Sequence, residues 1–241
     1  MEQPYGVVSE APGALYPTLH APDQRVGLHR HQTPYVALIL DGSYEEWSAD
    51  GRYLLERGDV VLHGRYHAHG NCIRESSRVL NLVLNVEPPC SAKRVVRLQG
   101  LAGWLADIRC DPVGAASRLL SAVMDEKPRA PLPPPTSLAA AAEQLRRGPE
   151  LPITDLARRE SGVSPEHFAR SFRRHFGMSP TAYRAEHRFR RALARLDDSP
   201  ALAGLAAESG YADQSHMTRD FRARTGHPPA RLARLRATPA G

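Results

Sequence analysis

The stretch from Ile153 to Pro180 is repeated in outline from Leu202 to Pro229, 49 residues later. At that offset Leu156-Ala157 meets Leu205-Ala206, and His167-Phe168 meets His216-Met217. Arg170, Phe172 and Arg173 meet Arg219, Phe221 and Arg222, and then Gly177 and Pro180 meet Gly226 and Pro229. A repeat of this length requires a unit larger than one helix. Each copy reads as a helix, a tight turn containing Gly, and a second helix with Arg on its exposed face.

The local signals around the repeat are those of an all-helical region. Ser137 is placed to cap a first helix running to Arg147, where Gly148 ends it. Thr154 is placed to cap the next helix, and Gly162 makes its turn. Ser164-Pro165-Glu166 is a helix start, with a capping hydroxyl, Pro in the first turn and an acid at the positive dipole end. That helix runs to about Phe176 and buries Phe168 and Phe172. Ser179-Pro180 opens another, with Ala185, Phe189, Ala192, Leu193 and Leu196 on one face, until Asp197-Asp198-Ser199-Pro200 breaks it. Asp213 is the natural cap of the second copy's Arg-bearing helix, which buries Met217 and Phe221.

Charge follows the same division. From Thr136 onward the chain has 18 Arg, no Lys and 11 Asp or Glu, a net +7. The residues before it are close to neutral, at −1. A basic half beside a neutral half points to a polyanion-binding module joined to something else. Between them Lys127-Pro128-Arg129-Ala130-Pro131-Leu132-Pro133-Pro134-Pro135 cannot continue a helix or a central strand and reads as an extended linker. This gives a domain at 1–127, a linker at 128–136 and a domain at 137–241, with repeat units at about 153–178 and 202–227. No apolar run approaches the ~20 residues of a membrane helix, and no signal peptide is evident at Met1-Glu2-Gln3-Pro4. Cys72, Cys90 and Cys110 form no pairing pattern, which fits a reducing cytoplasm.

Residues 1–98 read as strands. Tyr35–Leu40 is a continuous apolar run ending at the turn signal Asp41-Gly42; Ser43–Trp47, Tyr53–Leu55, Val60–Leu62 and Arg78–Val86 follow, with a second turn signal at Asp50-Gly51. Short strands at this spacing argue for a sandwich or barrel. Residues 99–127 look helical, with Leu101, Trp104, Leu105 and Ile108, then Leu119, Leu120 and Val123, at helical spacing. Such helices either cover the barrel or pair two subunits.

Over residues 137–236 the chain resembles the AraC/XylS family of bacterial transcription regulators. The phrases Ser161–Arg173 and Gly210–Arg222 are similar to that family's two helix-turn-helix signatures, and Gly226-His227-Pro228-Pro229 is similar to its ending. One departure is that Leu156 to Gly162 is one residue longer than Leu205 to Gly210, which either lengthens the first helix or bulges its turn. The resemblance implies two units joined by the helix of residues 180–196, about 25 Å long. Major-groove faces recur every ~34 Å, so one chain can set both recognition helices on one face of double-stranded DNA.

By helical spacing Glu166, Ala169 and Arg170 share the exposed face of the first recognition helix, and Gln214, Ser215, Thr218 and Arg219 that of the second. Arg can hold guanine through O6 and N7, Gln can hold adenine, and Glu can accept from cytosine. Arg173, Arg174, Arg184, Arg188 and Arg222 are expected at phosphates, adding affinity without sequence information. His167 and His216 are expected to support the helix pair.

In the N-terminal half His29-Arg30-His31 precedes the Tyr35 strand, and Gly58-Asp59 leads to His63, His67 and His69. On a strand His29 and His31 share a face. With His69 they resemble the histidine pattern of cupin barrels, a double-stranded β-helix. The fold expected is therefore α+β and multidomain, a cupin-like barrel followed by an all-α tandem helix-turn-helix domain. His29, His31 and His69 (or His67) either hold a divalent metal such as Zn, Fe, Ni or Cu, or line an effector pocket with no cofactor. Pro34 and Tyr35 stand where metal-binding cupins place a carboxylate, and Gly64-Arg65-Tyr66 departs from the usual Pro-x-Gly. The reading that follows is a non-enzymatic regulator whose barrel senses a small molecule or mediates a homodimer, acting on RNA polymerase. Its alternative is a metal-dependent dioxygenase or isomerase fused to a DNA-binding domain.

Overall fold

The computed structural model describes residues 6–88, 93–147, 152–198 and 201–237. They fall into two compact units that divide between Leu132 and Pro133.

The first unit contains ten strands: β1 (Gly6–Val8), β2 (Leu15–His20), β3 (Arg25–His31), β4 (Tyr35–Asp41), β5 (Ser43–Ser48), β6 (Gly51–Glu56), β7 (Asp59–His63), β8 (His69–Cys72), β9 (Ser77–Val83) and β10 (Arg94–Arg97). They form two five-stranded sheets ordered β1-β3-β8-β5-β6 and β10-β7-β4-β9-β2. Every pairing is antiparallel except that of β1 with β3. Chain-adjacent β4 and β5 lie in different sheets, which is the two-sheet layout of a cupin-like barrel. The strand expected at Arg78–Val86 ends at Val83.

The continuous apolar run of β4 is explained by burial on both faces. Tyr35, Ala37 and Ile39 point to the interior with Leu55, Val61 and Val83. Val36 and Leu38 point the other way, with Val60, Leu62, Leu82 and Val96. That outer face is covered by α1 (Leu101–Cys110) and α2 (Pro112–Asp125), through Ile108, Ala115, Ala116, Leu119 and Val123. Each large side chain buried there contributes about 1.5–3 kcal/mol. The helices after the strands thus cover the barrel. Arg94 of β10 secures the end of α2, donating to the carbonyls of Val123, Met124 and Glu126 at 2.7, 2.9 and 2.6 Å, three acceptors with no partner inside the helix.

Lys127–Pro135 contains no helix, and the start of this segment is stitched to the barrel. Arg129 N donates to Val95 O at 2.7 Å, and Leu132 N to Arg52 O at 2.7 Å. The Arg129 guanidinium pairs with the fully buried Asp59, which Arg97 also meets at 2.9 Å.

The second unit is helical: α3 (Thr136–Arg147), α4 (Ile153–Ser161), α5 (Pro165–Phe176), α6 (Pro180–Ala194), α7 (Leu202–Ser209), α8 (Gln214–Thr225) and α9 (Pro229–Ala237). Ser164 Oγ accepts from His167 N, Ser179 Oγ from Ala182 N, and Asp213 from His216 N, as their positions predict. Two expected caps are corrected. α3 already begins at Thr136, and α4 is preceded by Pro152, so Ser137 and Thr154 lie inside their helices. Pro152 is itself the N-cap of α4 and Pro135 immediately precedes α3; a Pro disfavours helical backbone in the residue before it, so each sets an upstream limit. Gly148, Ser199, Pro200 and Cys90 fall outside the described residues.

Candidate nucleic-acid interface and barrel pocket

The two copies of the repeat fold alike despite their unequal spacing. Leu156, Ala157, Phe168 and Phe172 are buried in the first, as are Leu205, Ala206, Met217 and Phe221 in the second. The extra residue lengthens the first helix, so α4 has nine residues and α7 has eight. The turn gives it back: three residues, 162–164, separate α4 from α5, and four, 210–213, separate α7 from α8. Both recognition helices have twelve residues and keep the 49-residue offset. Each turn opens on a left-handed Gly, with φ 63° at Gly162 and 87° at Gly210, a conformation that costs a Cβ-bearing residue roughly 1 kcal/mol or more.

On α5 Glu166, Arg170, Arg173 and Arg174 are exposed and Ala169 is half-buried. On α8 Gln214, Ser215, Arg219 and Arg222 are exposed and Thr218 is half-buried. The exposed face of α5 is therefore dominated by charge, and that of α8 mixes amide, hydroxyl and guanidinium. His167 is exposed, and the His216 ring meets Tyr211 edge-on at 5.2 Å.

Two arginines on α6, Arg188 and Arg191, contact protein groups. Arg188 reaches Gly210 O at 3.4 Å and lies over the Tyr211 ring at 4.9 Å. Arg191 donates to Arg146 O and Ser209 O, at 2.8 and 3.2 Å, gathering the ends of α3 and α7 onto α6. Arg184 is half-buried on the same helix. A buried chain of charges braces the second unit: Glu186 of α6 meets Arg224 of α8 at 2.7 Å, Arg224 meets Asp220 at 2.7 Å, and Asp220 accepts from Tyr211 Oη at 2.8 Å. Sequence reading missed this chain. The available signal was Glu186 on the apolar face beside Phe189, a carboxylate that needs a buried partner.

In the barrel, a cavity of about 210 Å³ is lined by His29, His31 and His69 with Tyr16, Tyr35, Tyr44, Glu46, Asn71 and Asn81. A break in the β3–β8 register between Val26 and His29 leaves His29 opposite His69. The His29 and His69 rings lie 4.3 Å apart, and His29 and His31 5.1 Å apart. Backbone and carboxylate acceptors orient the first two: His29 Nδ1 meets Gly27 O at 3.0 Å, and His31 Nδ1 meets Glu10 Oε2 at 2.9 Å. The absent motif carboxylate is replaced by the Tyr35 hydroxyl, 3.0 Å from His69 Nε2. One ring nitrogen from each of His29, His31 and His69 lies within 4.8 Å of the others, so this triad fits a metal by donor type.

A second set shares His69. His67 does not line the cavity with His29 and His31; it groups with His63 and His69, all three buried. The segment 64–68 that delivers His67 is held in an unusual turn. Tyr66 has φ 56°, a strained value for an aromatic residue, at the place where the cupin pattern has Gly. The fully buried Arg30 clamps it, donating to Tyr66 O at 2.6 Å, and Tyr66 N donates to His31 O at 2.8 Å.

Glu46 is a buried pocket carboxylate that the motif reading did not single out. It is 1% exposed, 3.0 Å from Lys93 Nζ and 3.5 Å from His63 Nε2. Burial opposes its ionisation, but Lys93 and His63 outweigh burial and hold its carboxyl well below the usual range. Burial pushes His63 and His31 down, against the pull of Glu46 and Glu10. Burial, then the neighbouring His63, pushes His69 further down. The signal in the sequence was strand parity, since Glu46 shares a face of β5 with the buried Tyr44.

Residues 158–235 match the family described as a helix-turn-helix domain, of the AraC type. No curated protein matches the chain in sequence. Among solved structures, ToxT from Vibrio cholerae is similar at 10% identity, with a TM-score of 0.39, over 93% of this chain and 98% of that one. An AraC-type DNA-binding-domain protein from Chromobacterium violaceum is similar at 23% identity and a TM-score of 0.38, over 43% of this chain and 95% of that one. A cupin-2 domain protein from Shewanella frigidimarina is similar at 14% identity and a TM-score of 0.26, over 28% of this chain and 66% of that one. The fold stands on strand pairing and helix order, independently of these likenesses. No helix among the described residues is long and apolar enough to cross a membrane.

Proposed function

We propose that this chain, whose residues 158–235 are an AraC-type helix-turn-helix domain, is a transcription regulator that binds double-stranded DNA through α5 and α8 and is tuned by occupancy of its barrel. The observation that carries the reading is the matched pair of recognition helices, each twelve residues long and opened by a capped turn. Their exposed arginines gather affinity from phosphates, and polar residues of α8 select bases. Arg170 and Arg219 are the base-reading guanidiniums. Arg173, Arg174 and Arg222 are the phosphate contacts, while Arg188 holds α8 in place. Contacts with RNA polymerase, and a second copy of the chain, belong to the same proposal.

The barrel cavity is small and lined by histidines, tyrosines and asparagines around an ionised Glu46. It suits a compact polar effector with hydrogen-bond donors to spare. Genome-wide mapping of bound sites, followed by binding to the recovered sequences across a salt series, tests the reading. Several phosphate contacts predict a steep linear fall of log K with log salt. A flat dependence, or no sequence preference at all, overturns it.

A further inference from the structure

We infer that His63, His67 and His69 form a binding site for one divalent transition-metal ion of the zinc class, distinct from the pocket face of His29 and His31. The inference rests on the reading of the barrel as the sensing unit and names its ligand.

A carboxylate holds the ring of His67, and another stands near that of His63. His67 Nε2 lies 2.8 Å from Asp50 Oδ2, and His63 Nε2 lies 3.5 Å from Glu46 Oε2. Both rings turn Nδ1 toward each other, and the two Nδ1 atoms are 3.3 Å apart. When each ring gives its N–H to its carboxylate, the inward nitrogens present lone pairs to one another. Such a pair requires a proton or a cation between them. Tetrahedral coordination at about 2.0–2.1 Å holds two nitrogens about 3.3 Å apart, the separation seen. A ring nitrogen of His69 lies within 4.8 Å of both. Outer carboxylates on ligating histidines are the usual means of setting tautomer and basicity. All three rings are buried, and imidazole donors favour zinc, copper, nickel or iron over magnesium or calcium.

His69 is shared with the pocket triad, so the two sets compete for one ligand. The site at His63 and His67 has two rings facing each other, each beside a carboxylate. In the pocket triad His29 leans on a backbone carbonyl and is only half-buried. Lys93, 3.0 Å from Glu46, offsets the charge of that carboxylate.

The test uses the full chain purified without a histidine tag, stripped with chelator, and titrated with zinc chloride and, for its visible spectrum, cobalt chloride. One ion per chain is expected, with the cobalt spectrum of a low-coordinate nitrogen site. His63→Ala and His67→Ala abolish it, and His29→Ala and His31→Ala retain it. Asp50→Asn keeps every ligand and weakens affinity about 10–100-fold; it decides the matter if the histidine variants do not fold. Loss on His29→Ala or His31→Ala with retention in His63→Ala moves the ion to the pocket and overturns the inference. So does absence of stoichiometric binding in the wild-type chain, or an unchanged affinity in Asp50→Asn. DNA binding by the stripped chain is measured separately: a chain that binds DNA but no metal loses this inference alone.

Discussion

Glu186 of the connecting helix and Arg224 of the second recognition helix meet at 2.7 Å, with side chains 2% and 14% exposed. The pair fixes the rotation of α8 about its own axis, and so decides which residues face outward. Removing one member of a buried pair costs about 3–5 kcal/mol when the other charge is left alone, but Arg224 keeps Asp220 at 2.7 Å, so the loss here is smaller. Glu186→Ala is expected to lower the unfolding free energy of the helical unit by about 1.5–3 kcal/mol, read from its denaturant transition, while the barrel transition stays in place. A cost below about 1 kcal/mol would show that water reaches the pair.

The recognition helices depend on their caps. Ser164→Ala and Asp213→Ala are each expected to cost about 1 kcal/mol, read from thermal melts of the full chain. The two losses should add, because the caps lie in separate turns with no shared partner. A zero cost for either would mean that water replaces the side chain at that end.

Arg219 separates base reading from phosphate binding. Arg219→Ala is expected to cost about 1–3 kcal/mol at the preferred site and to relax choice at one base pair. Arg222→Ala should weaken all sequences alike and reduce the salt slope by about one. Equal losses on every sequence for Arg219→Ala would place it on a phosphate instead.

The barrel should be sensitive to mild acid. Burial lowers the folded pKa of His31, His63 and His69 below 6.5. The unfolded chain therefore takes up these protons first as pH falls. Stability is fully present above about pH 6.5 and is lost progressively below it. The same sign holds for Glu46, whose depressed value adds a further loss below about pH 4.5. Melting of the metal-stripped chain between pH 8 and 5 checks this, and a barrel transition unmoved between pH 7 and 5.5 contradicts it.

The segment after α2 should be protected by its anchors. Asp59→Asn weakens the pairings with Arg129 and Arg97, and is expected to speed tryptic cleavage after Arg129 several-fold. Cleavage at the wild-type rate would assign the protection to the backbone bonds of Arg129 and Leu132.

Much of this architecture was legible before any coordinates. The 49-residue echo placed both helix pairs, and Ser164, Ser179 and Asp213 marked where helices begin, because each signal acts within one turn of backbone. Thr154 and Ser137 misled for the same local reason: a capping hydroxyl and a neighbouring Pro offer competing starts, and Pro set the boundary. The unequal spacing before Gly162 left a longer first helix or a bulged turn open, and the first is what forms. Counting helix and turn together shows that one residue moved from turn to helix and the recognition helix did not shift.

The sequence by itself determined the repeat, the basic half, the strand-rich half and the shared strand face of His29 and His31, while the cupin-like barrel was what the resemblance implied. Short-range chemistry is enough for these: helical period, strand parity, Gly at positive φ, and caps. Only the tertiary structure decided which distant groups meet. Glu46 and Asp50 stand behind His63 and His67 because β5, its hairpin and the 64–68 turn converge there. Glu186 finds Arg224 because α6 and α8 pack. Such pairings depend on strand register and helix rotation, where a shift of one residue turns a side chain to the opposite face, and no local pattern carries that information.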